Sequence, residues 1–245
     1  MKIGAQLYTV HDYTKTLNDF SETLKKIADI GYKTVQVSGT CSYEPEWLNE
    51  QLNANGLKCV ITHIPGPKII NETEKTIADH KIFDCNTIGL GYYDFKNSSF
   101  ESFEKQYSAI SKFLNEKGFK FSYHNHDHEF RKDDSGKTIM TRLLEEMPDL
   151  YVTLDTYWVQ SGGGDPIWWI NALKGRINCI HYKDMSYNKV MSVVGEGNMN
   201  FNGIIKASID TGIEYALVEQ DDCNGENPFD CLKRSYEYLK AWGLE

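Results

Sequence analysis

The sequence predicts an α/β protein folded as one (β/α)₈ barrel, or TIM barrel, that spans residues 1–245 as a single domain. Short apolar runs alternate with amphipathic segments eight times along the chain, a pattern typical of parallel strands covered by helices. Eight such units in 245 residues match the size of a closed barrel. A doubly wound open sheet is the alternative, but no GxGxxG turn follows the first strand.

The eight predicted strands are short apolar runs rich in β-branched and aromatic residues. Several of them end at a polar or titratable side chain. This position is informative, because a barrel brings the C-terminal ends of all its strands to one rim. The predicted strands are residues 3–7, 34–37, 58–63, 87–90, 120–124, 151–155, 177–181 and 215–219.

Helical patterns fill the intervals between these strands. In the first of them, apolar residues recur every three or four positions from Leu17 to Ala28. Several helices end at a glycine, the residue that most readily caps a helix in the left-handed conformation. The predicted helices are residues 17–30, 46–55, 72–83, 100–117, 137–147, 166–173, 201–211 and 228–242.

Composition and charge narrow the class of protein. Hydrophobic content of 40% and charged content of 25% are ordinary for a soluble globular chain. The net charge of −9 argues against a nucleic-acid partner, although a small phosphorylated ligand held by local cations stays open. Six dispersed cysteines without a CxxC pair indicate free thiols in a reducing compartment. With no run of about 20 apolar residues, we expect a cytoplasmic protein without a membrane partner.

The segment FSYHNHDHEF, residues 121–130, concentrates titratable side chains at the end of the fifth strand. His124, His126 and His128 are three of the seven histidines in the chain, and Glu129 follows directly. Side chains alternate between the two faces of an extended chain. Continued past the strand end, this alternation predicts that His128 faces away from the site.

Polar residues stand at the ends of seven of the eight predicted strands. Each alone has an ordinary structural explanation; Asp155, for example, could cap a helix. Their repeated position is harder to explain, because isolated carboxylates at a barrel mouth are costly to bury unless they are paired or bind a cation. The residues are Gln6, Gln36, His63, His124 followed by His126, Asp155, His181 followed by Lys183, and Glu219.

Three of these residues, Asp155, His181 and Glu219, together with a fourth ligand from strand five, give a mixed nitrogen and oxygen set. Such a set suits Mn²⁺, Mg²⁺, Co²⁺ or Zn²⁺, and the absence of a thiolate argues against a structural zinc site. A divalent ion there would polarise a carbonyl or hydroxyl oxygen and acidify the adjacent C–H bond.

Taken together, seven motifs in fixed order resemble the xylose isomerase-like barrel family. That family contains sugar phosphate isomerases and epimerases, inosose dehydratases, tagatose and psicose epimerases, and endonuclease IV. The resemblance runs the full length of the chain. The motifs are GAQLYTV, GYKTVQVS, YHNHDHEF, LDTYW, INCIHYKD, VGEGNMNF and ALVEQDD.

The resemblance implies a divalent metal held by Glu, Asp, His and Glu from strands five to eight. Asp155, His181 and Glu219 match the last three, and His124 stands where the family has its first glutamate. In family epimerases both glutamates also move the substrate proton, so Glu219 and His124 become catalytic candidates. Because a metal-bound imidazole is not free to accept a proton, His126 is a third candidate, and Glu129 and His63 are the alternatives to it.

The resemblance also indicates residues that contact substrate. Trp158 stands where ketose epimerases have a substrate-binding histidine, and an aromatic face there suits a sugar ring. Lys183 is the natural cation for a substrate oxyanion or phosphate. Glu129 either contacts the substrate or orients His126. The predicted substrate-binding residues are Gln6, Tyr8, His63, Glu129, Trp158 and Lys183.

The predicted function is a metal-dependent isomerase or epimerase that abstracts a proton beside the carbonyl of a sugar, a sugar phosphate or a polyol. A lyase or dehydratase acting on a keto-sugar or inosose is the alternative, because it shares the first step. From another class, a barrel that binds a sugar without catalysis also stays open. The expected partner is a small carbohydrate, and a homodimer is compatible because family barrels often pair.

Overall fold

Eight parallel strands close into a barrel in a computed structural model of the chain, which describes residues 1–133 and 135–245. The strands follow one another around the barrel in chain order, and the last pairs with the first. The predicted (β/α)₈ barrel is therefore confirmed. Its strands are Lys2–Gln6 (β1), Thr34–Val37 (β2), Lys58–His63 (β3), Thr87–Leu90 (β4), Lys120–His124 (β5), Tyr151–Asp155 (β6), Cys179–Tyr182 (β7) and Tyr215–Val218 (β10).

Helices follow the strands on the outside of the barrel, close to the predicted positions. Two short helices, α3 and α7, were not predicted, because segments of six residues are too short to show a helical period. The helices are Leu17–Ile30 (α1), Pro45–Ala54 (α2), Gly66–Asn71 (α3), Thr73–Ile82 (α4), Phe100–Glu116 (α5), Ile139–Glu146 (α6), Thr156–Ser161 (α7), Pro166–Ala172 (α8), Phe201–Thr211 (α9) and Pro228–Ala241 (α10).

Two buried layers hold the barrel together. The larger joins the helices to the outside of the sheet and includes the apolar stripe of α1, where Phe20, Leu24 and Ile27 are completely buried. A smaller cluster joins Ile61 of β3 to Cys179 of β7 and Leu217 of β10. Because β3 is not a hydrogen-bonded neighbour of β7 or β10, this cluster lies across the barrel interior.

An antiparallel hairpin, Asp184–Met185 (β8) with Met191–Ser192 (β9), follows β7 and was also not predicted. The buried carboxylate of Asp184 fixes the loop beyond it by accepting backbone N–H bonds from Gly195 at 2.9 Å and Gly197 at 3.1 Å. A Cβ atom at Gly197 would lie 2.3 Å from Asp184 Oδ1, so only glycine fits there. This loop closes one side of the barrel rim.

All six cysteines lie among the described residues and are free thiols. None of the described helices combines the length and the apolar character that crossing a membrane requires.

The buried His80 of α4 predicts a loss of stability in acid. Its Nε2 is 2.7 Å from Thr62 Oγ1 and its Nδ1 is 2.7 Å from the Thr76 carbonyl oxygen, and burial lowers its pKa to about 4. The unfolded chain, with a histidine pKa near 6.5, binds this proton more readily. We expect His80 to lower the free energy of unfolding by up to about 3 kcal/mol as the pH falls from about 6.5 to about 4.

Urea denaturation across this pH range measures the effect. The His80→Leu variant is less stable overall, but its free energy of unfolding should fall less steeply with acid than that of the parent. A variant of the partly exposed His11, His11→Leu, should keep the parent slope. Equal slopes in the parent and His80→Leu would contradict the assignment.

Candidate metal and substrate site

Four side chains from the ends of neighbouring strands meet at the C-terminal rim of the barrel. His124 ends β5, Asp155 ends β6, His181 lies in β7 and Glu219 follows β10. Each is at most 4% exposed. Each offers one ligand atom that lies within 4.8 Å of the other three. The structure thus brings together all four predicted ligands.

The two imidazoles are oriented by oxygen acceptors behind them. His181 Nε2 lies 2.6 Å from Gln36 Oε1, and His124 Nδ1 lies 3.2 Å from the Gly91 carbonyl oxygen. Each imidazole donates to its oxygen, which leaves His181 Nδ1 and His124 Nε2 directed towards the carboxylates. Metal-binding histidines are commonly held this way, because the outer hydrogen bond fixes the tautomer and the ring orientation.

The atoms that face the centre of the group fit a divalent cation. His181 Nδ1 and Glu219 Oε2 are 2.8 Å apart without the alignment of a hydrogen bond, and neither has another partner. Asp155 Oδ2 lies 3.4 Å from His124 Nε2 and 3.7 Å from His181 Nδ1. Unpartnered buried polar atoms cost free energy, and a shared cation would satisfy them. Two imidazoles and two carboxylates are suitable ligands for Mn²⁺, Co²⁺, Mg²⁺ or Zn²⁺.

Asp155 carries out two tasks with its two oxygens. Oδ1 accepts a hydrogen bond of 2.9 Å from the Trp158 backbone N–H and caps α7, while Oδ2 faces the two histidines. Burial alone would raise the pKa of Asp155, but Lys183 and His124 offset this and hold it at about 2. The capping interpretation and the ligand interpretation of Asp155 are therefore both compatible with this geometry.

Lys183 supplies a buried positive charge beside the four ligands. Its Nζ lies 2.7 Å from Asp221 Oδ2, 3.7 Å from Glu219 Oε2 and 3.8 Å from Asp155 Oδ2. Burial alone would lower the pKa of Lys183, but these carboxylates raise it above its ordinary value. The ammonium group predicted for a substrate anion is thus already surrounded by protein carboxylates. Asp221, which the sequence analysis did not select, is its closest partner.

The proton on His181 responds to the same carboxylates. Burial alone would lower the pKa of His181, but Glu219 and Asp155 raise it to about 9. Coordination through Nδ1 therefore displaces a proton from this imidazole, as is usual for histidine ligands.

A cavity of about 510 Å³ opens directly above the four ligands. Its wall includes three residues that sequence reasoning missed, namely Ser38, Tyr92 and Asp221. Tyr8 and Tyr92 are 40% and 51% exposed at its rim, and one face of the Tyr8 ring stacks on His11. The predicted catalytic and substrate-binding residues on its wall are Gln6, Tyr8, His63, His124, His126, Trp158, Lys183 and Glu219.

Glu129 is not among the described residues that line the cavity, and its predicted contact with substrate stays a prediction. Glu129 is completely buried; it accepts hydrogen bonds from the Tyr123 hydroxyl and, at 2.9 Å, from the His126 backbone N–H. The carboxylate thus fixes the backbone that carries His126, which agrees with the other role predicted for it.

The predicted outward orientation of His128 is wrong. A 3₁₀ turn, His128–Phe130, replaces the extended chain after β5, so strand alternation does not continue. The side chain of His128 is 16% exposed, and its ring stacks on that of His126 with centroids 5.7 Å apart.

His63 fits against two glycines of β4 and the segment that follows it. A Cβ atom at Gly89 would lie 2.9 Å from His63 Cδ2, and one at Gly91 would lie 2.7 Å from His63 Nδ1. Ser38 Oγ lies 3.1 Å from the same Nδ1. Burial and the nearby His124 lower the pKa of His63 well below its ordinary value, so the ring is neutral. The sequence signal for this fit was the Gly-x-Gly pattern of Gly89 and Gly91, since alternate residues of an extended strand share a face.

Gln6 supports one of the four ligands through a hydrogen bond. Its Nε2 donates a hydrogen bond of 2.8 Å to Glu219 Oε1, and its Oε1 accepts from the Tyr8 backbone N–H. The side chain therefore orients Glu219 from the end of β1 and also lines the cavity.

Comparison with known proteins places this barrel among related structures, although no protein-family model matches the sequence. Inosose dehydratase from Clostridium beijerinckii is 22% identical in an alignment that covers 91% of this chain and 89% of that protein. A sugar phosphate isomerase/epimerase from Parabacteroides distasonis superposes with a TM-score of 0.84 at 21% identity, covering 98% of this chain and 96% of that one.

A third relative is a probable 3-DHS dehydratase from Bacillus anthracis, with a TM-score of 0.75 and 19% identity over 98% of this chain and 99% of that one. Likeness at these identities shows the fold. The fold is that of the xylose isomerase-like (β/α)₈ barrels, and the predicted resemblance is confirmed at that level.

Replacement of Gln36 by leucine should weaken metal binding without removing a ligand. The substitution leaves His181 Nε2 without its acceptor and the imidazole free to change tautomer. We expect the affinity for Mn²⁺ or Co²⁺, measured by isothermal titration calorimetry, to fall by about 10- to 100-fold. Gln51→Leu, a change on α2 remote from the rim, is the control and should leave the affinity unchanged. Equal affinities in Gln36→Leu and the parent would contradict the geometry described.

Proposed function

We propose that the protein is a divalent-metal-dependent enzyme that removes a proton beside the carbonyl group of a carbohydrate, as a sugar isomerase or epimerase does. The observation that supports this most is the convergence of His124, Asp155, His181 and Glu219 beneath a cavity walled by further polar and aromatic side chains. The name of the Parabacteroides structure agrees with this class of reaction.

His124, Asp155, His181 and Glu219 would hold the ion, and when bound it would polarise the carbonyl oxygen and acidify the neighbouring C–H bond. Glu219 is the candidate proton acceptor. Burial alone would raise its pKa, but Lys183 and His181 hold it well below its ordinary value, so the carboxylate is ionised. Gln6 fixes one of its oxygens.

His126 is the candidate second proton-transfer group. Burial, together with the nearby His124, lowers its pKa to about 3, so the imidazole is neutral, with one ring nitrogen as a hydrogen-bond donor and the other as an acceptor. The centroid of its ring lies 4.7 Å from that of His124 and 5.4 Å from that of Trp158. All three rings lie on the cavity wall. An isomerase or epimerase needs one group to remove a proton and a group to return it at another position. Glu219 and His126 supply such a pair from the segments that follow β10 and β5.

The charges of the cavity favour an uncharged substrate over a sugar phosphate. Within the described cavity wall, Lys183 is the only lysine or arginine, and its ammonium group is occupied by Asp221. Phosphate recognition normally relies on free cationic donors. Tyr8, Tyr92 and Trp158 instead offer aromatic faces, which suit the apolar faces of a neutral sugar ring. The proposed substrate is therefore a neutral keto-sugar or an inosose, which keeps a carbonyl group on a polyol ring.

A dehydratase or lyase is the second candidate, supported by the nature of the strand-five ligand. Because a histidine, His124, takes the strand-five position, only one of the four ligands is a carboxylate that lines the described cavity wall and can accept a proton. That ligand is Glu219. Elimination requires removal of one proton beside the carbonyl and departure of a β-hydroxyl as water, which leaves a C=C bond. Two of the three relatives described are named as dehydratases.

Hydrogen exchange in D₂O tests the proposed chemistry and separates the two candidates. Protein supplied with Mn²⁺ is incubated with neutral ketoses, keto-glycosides and inososes, and the C–H signals are followed by NMR. An isomerase or epimerase yields an isomer carrying solvent deuterium, whereas a dehydratase yields an unsaturated product. If the protein retains metal and binds a sugar but gives neither exchange nor product, the enzyme proposal is wrong and the protein is a sugar-binding barrel.

His126→Ala should lower the rate of this exchange by about 100-fold or more, in line with the loss of a general acid or base. Asp155→Asn should abolish exchange together with metal binding at the four-ligand site, whereas Asp210→Asn, a change of an exposed carboxylate on α9, should leave both unchanged. An unchanged rate in His126→Ala would remove that residue from the chemistry.

Phosphorylated sugars should be poor ligands compared with the same sugars without phosphate. We expect calorimetry to detect binding of the neutral sugar at concentrations where its phosphate monoester does not bind. Asp221→Asn frees the ammonium group of Lys183 and should narrow this difference by about tenfold or more, since a hydrogen bond to a charged group contributes about 1.5–3 kcal/mol. A parent protein that prefers the phosphate would contradict the charge argument.

A further inference from the structure

We infer that His126, His128 and Glu129 form a second divalent-cation site, separate from the four ligands described above. The site lies in the turn that follows β5. Each of the three residues offers one ligand atom within 4.8 Å of the other two. This inference concerns cation binding alone. A cation on His126 Nδ1 would stop that imidazole from accepting a proton, so the proton-transfer role proposed for His126 requires the second site to be empty.

Two buried nitrogen atoms in this cluster have no hydrogen-bond partner. They are His126 Nδ1 and His128 Nε2. A buried nitrogen without a partner carries an uncompensated desolvation cost. The surrounding rings of Tyr92, Phe95 and Trp158 pack against the two imidazoles. A cation shared by both nitrogens would satisfy them.

The third donor is a carboxylate already fixed in place. The Tyr123 hydroxyl and the His126 backbone N–H hold the two oxygens of Glu129, and each oxygen retains a lone pair for a cation. Glu129 Oε1 lies 3.3 Å from His128 Nε2 without the alignment of a hydrogen bond. Outer contacts of this kind are typical of carboxylates that bind metals. Burial raises the pKa of Glu129, and a bound cation would favour its ionised form.

The chemistry of the donors indicates which cation the cluster would take. Two imidazoles and one carboxylate suit Zn²⁺ and Co²⁺, and this set leaves a coordination position open. Mg²⁺ prefers sites made of oxygen ligands and water. His126 also lines the cavity, so a cation bound there would lie at the edge of the substrate site. The competing arrangement is a protonated His128 paired with Glu129, which needs no metal.

Cation stoichiometry decides between these arrangements. Protein stripped with a chelator is titrated with Co²⁺, and bound cobalt is measured by equilibrium dialysis and by its visible absorption. We expect two equivalents in the parent, one in His128→Ala, one in Asp155→Asn and none in the double variant. His11→Ala, which removes a histidine elsewhere on the rim, should keep two. With Mg²⁺ the parent should bind one.

One equivalent in the parent that Asp155→Asn removes, or two in His128→Ala, would overturn the second site. His128→Gln keeps the size of the side chain and provides the same measurement if His128→Ala does not fold, as judged by circular dichroism. The Asp155→Asn variant reports separately on the four-ligand site. One equivalent in the parent that Asp155→Asn keeps and His128→Ala removes would count against the four-ligand site, and with it the proposed function, and would leave this inference intact.

Discussion

Two ionised carboxylates, Asp155 and Glu219, are buried side by side at the mouth of this barrel, and the rest of the site compensates their charge. Without compensation the cost of burying them would be several kcal/mol per ion. Lys183 approaches both to within 3.8 Å, and His181 carries a raised pKa between them. A divalent cation would complete the balance and satisfy the unpartnered atoms of His181 and Glu219.

The closed barrel makes this arrangement possible, because it joins residues that lie far apart in the chain. Gln6 and Glu219 are 213 positions apart yet form a hydrogen bond of 2.8 Å, since β10 pairs with β1. Gln36 likewise reaches His181 across the rim. The strands and the residues directly after them fix the ligands, while Tyr8, Tyr92 and Trp158 reach the cavity from the segments beyond the strand ends. This division is usual in barrels with sites at the C-terminal ends of their strands.

The pattern of strand ends was sufficient to predict the barrel and the four converging side chains, because parallel strands impose both. Predictions for the segment after β5 were less accurate. His128 and Glu129 depend on a 3₁₀ turn that leaves no periodic signal. The pairing of Lys183 with Asp221 joins two loops, and no local pattern reports which loops of a barrel meet. The positions of short turns and of cross-loop contacts follow from tertiary packing.

Anomalous X-ray diffraction from crystals grown with Mn²⁺ tests the central claim most directly. We predict a strong peak within coordination distance of His124 Nε2, Asp155 Oδ2, His181 Nδ1 and Glu219 Oε2, with the Lys183 ammonium group still paired to Asp221. A map without a peak at that position, in which Lys183 alone bridges Asp155 and Glu219, would contradict the account.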